Sequence, residues 1–415
     1  MLLNLLLIFL LTIFAWIAWH DLRIGLFLIL AFLPSYLLRF SMLGMPSTFL
    51  ETLIIFAFLI WIIKRGYRAH PLRNEHIWIV FLLIILLSAS IAVLTSPGIL
   101  TALGIWKAYF IEPILFFIIL TSLIKKPGDA WPFLTALAAG SWLVILPGII
   151  QYAFDFGIPA PWDIERRITS IFLYPNAVGL FLGPIVVVSF FALMQKHIWK
   201  NRWVAAFWIL TGIFSLLATI LAQNEAAVAA IVATIFLSAL FFPRLRAIAV
   251  VCAILAIIGI GLFPGVRAPV IQKLTLQDFS GQVRVNQWKE TAEFLKDHPI
   301  FGAGLSGFPT AIEQYHKERA YEIFQYPHNI FLNVWVELGL LGLAVLGYAG
   351  ALVIKTFWQT WKKEPIVFLA TGVLLEMAIH GLVDVPYLKN DLSVLVWFFF
   401  AIIFVTHTTY ASHSH

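Results

Sequence analysis

Charged residues make up only 12% of this 415-residue chain, about half the share of an ordinary soluble domain. That shortage excludes a water-facing globule. A 61% hydrophobic content is more apolar surface than such a chain can bury, so its solvent is lipid. Cysteine is nearly absent: Cys252 stands alone in an apolar run, no intramolecular disulfide can form, and the residue reads as inert packing. Metal-binding patterns are missing as well. There is no H-E-x-x-H, no paired cysteine and no Asp-x-Asp carboxylate pair of the kind that metal-dependent sugar transferases use, so neither a metal ion nor another cofactor is expected. No G-x-S-x-G elbow offers a serine nucleophile. Basic residues are not interleaved with aromatics on a soluble face, which argues against nucleic acid as a partner. The chain shows no internal repeat, no low-complexity tract and no soluble domain at either end.

Long apolar runs fill the sequence instead. A spanning helix needs about 20 apolar residues, and runs of that kind fall at 2–19, 24–40, 48–63, 77–95, 99–123, 131–152, 171–193, 203–222, 225–242, 247–264, 329–354, 365–383 and 391–407. They are too long for barrel strands and do not alternate. The 37 Phe and 16 Trp suit membrane-interface belts. The expected fold is all-α, a polytopic membrane helix bundle of about 12–13 transmembrane helices. It carries one long extracytoplasmic loop containing short helices. The first 19 residues lack a basic leader and a small-residue cleavage site, so they read as a retained membrane segment. The organisation expected is a bundle over 1–264, a loop over 265–328 and a second bundle over 329–415.

Net charge is +6, but its placement says more. Lys64, Arg65, Arg68, Arg73, Lys125, Lys126, Lys196, Lys200, Arg202, Arg244, Arg246, Lys355, Lys362 and Lys363 crowd into alternate loops, while 96–98 and 221–224 carry none. By the positive-inside rule the basic set is cytoplasmic, which puts 153–170, 265–327 and 384–390 outside. The C-terminal HTTYASHSH reads as a solvated tail.

Polar residues in apolar surroundings mark candidate sites. Lys107 and Glu112 share one run at a spacing that suits different partners rather than each other. Glu225, after Gln223 and Asn224, either belongs to a solvated turn or points into an outward-facing cavity. Arg166 and Arg167 precede Tyr174-Pro175-Asn176; the pair suits anionic headgroups in general or the phosphates of a lipid-linked substrate. Asp384 and Asp391 flank Pro386-Tyr387 and read as turn chemistry.

Within the long loop, residues 281–297 read as a helix with Ser280 at its N-cap and an apolar stripe of Val285, Trp288, Ala292 and Leu295. Arg284 lies at the edge of that stripe, so it is either half-buried toward a cavity or a solvated surface arginine. Gly302, Gly304 and Gly307 spell G-x-G-x-x-G but lack the βαβ context of a dinucleotide site; they read as a tight turn packed on the bundle. His298 and His316 read as solvated. His328, in Tyr326-Pro327-His328-Asn329, stands just before an apolar run, where a neutral imidazole can take a proton from a hydroxyl.

The run RVNQWKETAEFLKDHPIFGAGLSGF, a spacer and then HNIFLNVWVELGLLGL resembles the signature of the O-antigen ligase and polymerase superfamily. Tyr174-Pro175-Asn176 and Gly381-Leu382-Val383-Asp384 look similar too. The resemblance implies a metal-independent, inverting glycosyltransferase in the bacterial cytoplasmic (inner) membrane. Such an enzyme moves a glycan from a polyprenyl diphosphate to a lipid, glycan or protein acceptor. It implies diphosphate binding for Arg284 and acceptor activation for His328. One departure stands out: a Ser-Arg-Gly-like turn between two middle spans is usual, and here Glu225 occupies the arginine's place. Arg166 or Arg167 is then the candidate substitute. The candidate catalytic residues are His328 and Arg284. Candidate substrate contacts are Arg166, Arg167, Asn176, Glu225, Trp288, Tyr326 and Asn329. A secondary transporter of an anionic envelope precursor is the alternative, though the chain lacks the paired halves expected of one. A noncatalytic scaffold for an envelope-glycan complex is a third reading.

Overall fold

The computed structural model describes residues 2–42, 45–64, 66–317 and 321–411. Arg65 and the tail histidines His413 and His415 lie outside the described residues. The chain begins with α1 (Leu2–His20), α2 (Leu22–Ala31), a two-stranded hairpin β1 (Arg39–Met42) and β2 (Met45–Thr48), α3 (Phe49–Ile63), α4 (His76–Leu94), α5 (Ile99–Trp106) and α6 (Glu112–Leu123). Then come α7 (Trp131–Phe154), α8 (Pro175–Leu193), α9 (Arg202–Leu221), α10 (Glu225–Ala239) and α11 (Pro243–Leu262). The loop region carries α12 (Pro264–Leu274), α13 (Phe279–Asp297) and α14 (Phe308–Ile312), and the chain closes with α15 (Ile330–Thr360), α16 (Pro365–His380) and α17 (Asn390–Ala411). Among the described residues eight helices are long and apolar enough to cross a membrane, and shorter apolar helices occupy the other expected positions. The architecture is an all-α polytopic bundle.

Two local features depart from the sequence reading. The run at 24–40 is helical only to Ala31, because Pro34 has no N–H to continue the ladder and a 3₁₀ turn (Leu33–Leu37) leads into the hairpin. The hairpin pairs Arg39 with Thr48, and Thr48 then caps α3 through a reciprocal box with Glu51, both bonds 3.2 Å. Between α5 and α6 the backbone widens into a π turn at Lys107–Ile111, a form that often marks a functional position. Lys107 and Glu112 do take different surroundings. Lys107 pairs with Glu51 at 2.5 Å, whereas Glu112 is buried with Oε1 unbonded among the described residues.

Helices α8 and α17 form the centre, each 83% buried over its apolar window, while α11 is 0% buried. Cys252, on α11, is therefore exposed on the bundle's flank rather than packed inside it. Lipid is as apolar as leucine, so close contact and ring packing hold the centre, with Trp78, Phe117, Trp397 and Phe404 meeting edge to face or stacked.

The loops sort to opposite ends. At one end, Ser96 Oγ donates to Leu305 O at 2.8 Å, Arg167 Nε to Ala222 O at 3.3 Å, Lys273 pairs with Glu225, and Arg284 Nε donates to Val383 O at 3.0 Å. At the other, Lys64 reaches Trp19 O, and Tyr410 Oη donates to Glu364 at 2.6 Å. His407 is buried near Glu75 at 3.7 Å, so the part of the tail that contains it is packed rather than solvated.

The glycine-rich turn fits closely between α4 and α15. Gly302 and Gly304 have φ of 65° and 76°, Ala303 N donates to Val336 O at 2.6 Å, and Leu305 N to Ala92 O at 2.9 Å. Its counterpart is Gly339, whose φ of 68° interrupts α15 so that Leu340 N can reach Ile300 O at 2.9 Å.

Candidate functional site

The site is assembled where α13, the start of α15 and residues 381–389 meet. Helix α13 begins at Phe279 with Asp278 in the cap position, two residues earlier than the sequence suggests. Ser280 is thereby inside the first turn, where its hydroxyl accepts a 2.9 Å bond from Arg284 Nη1. Arg284 is half-buried, and its Nε is spent on the carbonyl of Val383 at 3.0 Å. The Nη2 edge keeps its donors, since no acceptor meets it among the described residues. One turn along α13, Trp288 Nε1 donates to Pro327 O at 2.9 Å, and this bond fixes the residue in front of His328.

His328 has φ of 46°, a left-handed conformation that a side chain with a Cβ adopts only under constraint. Its two C-terminal neighbours impose that constraint. Asn329 caps α15 by accepting from the amides of Phe331 and Leu332, both at 3.0 Å, while its own Nδ2 donates to Leu382 O at 2.9 Å. Ile330 N donates to Gly381 O at 2.7 Å. The imidazole is held between the rings of Phe324 and Tyr326, with centroids at 5.2 and 5.4 Å and both contacts edge to face.

Asp384 completes the arrangement. Its Oδ1 lies 3.5 Å from His328 Nδ1, long for a hydrogen bond, so the contact is chiefly electrostatic. Nδ1 is otherwise buried and unbonded, so the ring's remaining 18% exposure lies on its other edge. Burial alone would raise the Asp384 carboxyl. The His328 imidazole, His380 and the amide of Val385 outweigh it and hold the group down at about 2. The carboxylate therefore stays ionised. Val383 carries the arginine and Asp384 the histidine, so adjacent residues of one turn bring Arg284 and His328 together. Sequence alone gives Asp384 to turn chemistry; the signal for a larger role is its place at the end of Gly381-Leu382-Val383-Asp384, one of the stretches that carry the resemblance.

Tyr326 lies against this site, its phenol interacting with that of Tyr174, and burial pushes it well above its ordinary value. Tyr174 ends the 155–174 loop, and the next turn sends Asn176 elsewhere: its carbonyl accepts from Asn224 Nδ2 at 3.1 Å. That second corner holds the other expected contacts. Arg166 Nη2 donates to Tyr152 O at 2.8 Å, with Asp155 3.4 Å from Nε and the Tyr152 ring 4.8 Å from its guanidinium. Arg167 bonds to Ala222 O, lies 4.0 Å from Glu165 and rests over Trp162. Glu225 is exposed at the start of α10 and paired with Lys273. The structure thus unites Arg284, His328, Trp288, Tyr326 and Asn329, and sets Arg166, Arg167, Asn176 and Glu225 apart from them. His298 is exposed as expected. His316 is not: it is tucked between Glu290 and Tyr321 O, each at 3.2 Å.

The O-antigen ligase family matches residues 210–347 of this chain. The matched segment contains Arg284 and His328 and ends before Asp384. It supports the O-antigen ligase and polymerase superfamily, and with the apolar helices it indicates a multi-pass membrane protein. No curated protein matches the chain.

Proposed function

We propose that this protein transfers a glycan from a polyprenyl diphosphate carrier to an acceptor hydroxyl at the outer face of the bacterial cytoplasmic membrane. One observation carries the reading: Arg284 and His328 are fastened to the adjacent residues Val383 and Asp384 at the loop end of an apolar bundle. This proximity supports a reading in which Arg284 serves the donor and His328 the acceptor. The family match adds support.

The steps derive from the side chains. A diphosphate is a good leaving group once its developing negative charge is matched, and the free Nη2 edge of Arg284 supplies that charge without a metal ion. His328 presents its outer edge to the acceptor and takes the hydroxyl proton as the new glycosidic bond forms. The imidazolium that results faces the ionised Asp384, which stabilises it and fixes the ring tautomer so that the outer nitrogen is the base. Attack from the side opposite the diphosphate inverts the anomeric carbon. The lipid chain of the donor stays in the bilayer, which accounts for a catalyst built as a membrane bundle.

Arg284→Ala and His328→Ala are each expected to lower transfer by at least about 100-fold in a reconstituted assay with lipid-linked donor, while the protein still inserts and purifies. Full activity in either variant would overturn the assignment. A deletion strain distinguishes the two family activities. Loss of all glycan on the acceptor indicates a ligase, and a single repeat unit left on it indicates a polymerase.

A further inference from the structure

We infer that Lys389 is a second cation for the donor's diphosphate, holding a phosphate oxygen beside the Tyr174 and Tyr326 rings. The inference rests on the donor reading above and supplies the group that completes it. Lys389 ends the loop that carries Val383 and Asp384, just ahead of α17. Its Nζ is out of solvent and has no hydrogen-bond acceptor among the described residues. It sits 4.2 Å from the centre of the Tyr174 ring, and Asp391 interacts with it only at a distance.

An ammonium has three N–H donors and is strongly hydrated. Removing that water without providing acceptors is costly, and a ring face offsets only part of the cost. The arrangement is explained if an anion occupies the space when the protein works. The position fits a diphosphate. The Tyr174 phenol touches that of Tyr326, whose ring packs on His328 at 5.4 Å, and Arg284 is anchored on the same loop at Val383. The loop is firmly held, since Tyr387 Oη donates to Tyr109 O at 2.7 Å and accepts from Trp397 Nε1 at 3.1 Å. Three other cations at this end are committed: Arg166 and Arg167 to carbonyls and rings, Lys273 to Glu225.

The test is lipid binding by the purified full-length chain, with glycan-free polyprenyl diphosphate and polyprenyl monophosphate as probes and melting temperature as the folding control. Lys389→Ala is expected to weaken diphosphate binding about tenfold, the scale of one charge-assisted hydrogen bond, and to change monophosphate binding far less. Lys389→Arg keeps the diphosphate preference, and Lys389→Gln replaces the alanine variant if that one melts early. Unchanged diphosphate binding in the alanine variant overturns the inference, including the case in which the true anion is a carboxylated sugar. So does an equal loss for both lipids accompanied by a lower melting temperature, which makes Lys389 a counter-ion of Asp391. If Arg284→Ala weakens diphosphate binding and Lys389→Ala does not, the donor reading stands and this inference falls. If the wild-type protein shows no preference for diphosphate, the donor reading itself falls.

Discussion

The two arginine-bearing corners at the loop end of the bundle use the same residue types and are built in opposite ways. Around Arg166 and Arg167 the donors are already spent on Tyr152 O and Ala222 O, on nearby carboxylates and on ring faces, and Glu225 has Lys273. Around His328 polar groups keep open valences among the described residues: Lys389 Nζ is buried without a hydrogen bond, the outer edge of the His328 ring is exposed, and the Nη2 edge of Arg284 meets no acceptor. Buried polar groups are normally satisfied by the protein itself. The difference teaches that charge alone does not locate a ligand. The first corner holds the 155–174 loop against α9 and α10, and the second is where the proposed donor and acceptor would bind.

The sharpest way to break this comparison is Asp384→Asn, which removes the carboxylate facing His328 while keeping its shape. Transfer should fall on the order of 100-fold, with the protein still folded. The same variant reports on stability. Asp384 is held at about 2, below its ordinary 3.8. Its contribution is therefore complete above pH 3.8 and lost as pH falls through about 2; the shift corresponds to about 2 kcal/mol. Melting curves of the wild type should drop across that acid window, and those of the asparagine variant should lack that component. Transfer at the wild-type rate would show that the histidine works alone.

A smaller effect is expected from Trp288→Phe. An aromatic ring is kept, though a smaller one, while the bond to Pro327 O is lost, so His328 is less well positioned. Transfer should drop about three- to tenfold, the worth of one hydrogen bond, with acceptor KM almost unchanged. A fall as deep as that of Asp384→Asn would place Trp288 against the substrate itself.

The smallest effects belong to the other corner. Arg167→Gln should lower the melting temperature through its lost contacts with Ala222 and Trp162, yet leave transfer within about twofold. Lys273→Ala opens an exposed ion pair and should alter neither measurement detectably. If either variant impairs transfer as severely as Asp384→Asn, the satisfied corner is part of the site and the comparison collapses.

The bundle is largely legible in the sequence because apolar runs of spanning length are dictated by the thickness of the bilayer core. The runs that the structure shortens have local causes, such as Pro34 ending α2 before the hairpin. In the site, Arg284 and His328 stand out because each interrupts or borders an apolar pattern. Asp384 does not, since a carboxylate before a Pro-Tyr turn has an ordinary local role, and its contact with His328 depends on how α15 meets α16. Arg166 and Arg167 look like a phosphate clamp because sequence displays charge but not the carbonyls of Tyr152 and Ala222 that occupy it. Lys389 is hidden for the converse reason: a lysine beside an aspartate in a turn gives no sign that it will be dehydrated.

His328 is held by the start of α15 and by residues 381–384 more than by the segment in front of it. Asn329 grips Leu382, and Ile330 grips Gly381; from the N-terminal side only the bond from Trp288 to Pro327 is comparable. The part of the loop least tied to the base therefore lies between the Gly302–Leu305 turn, which is bonded to α4 and α15, and the Phe324 and Tyr326 rings, which pack on the imidazole. Changes confined to that part are expected to leave His328 in place, as surface loops tolerate them. On the proposed transfer reaction, such changes alter what reaches the site without altering the base that acts there.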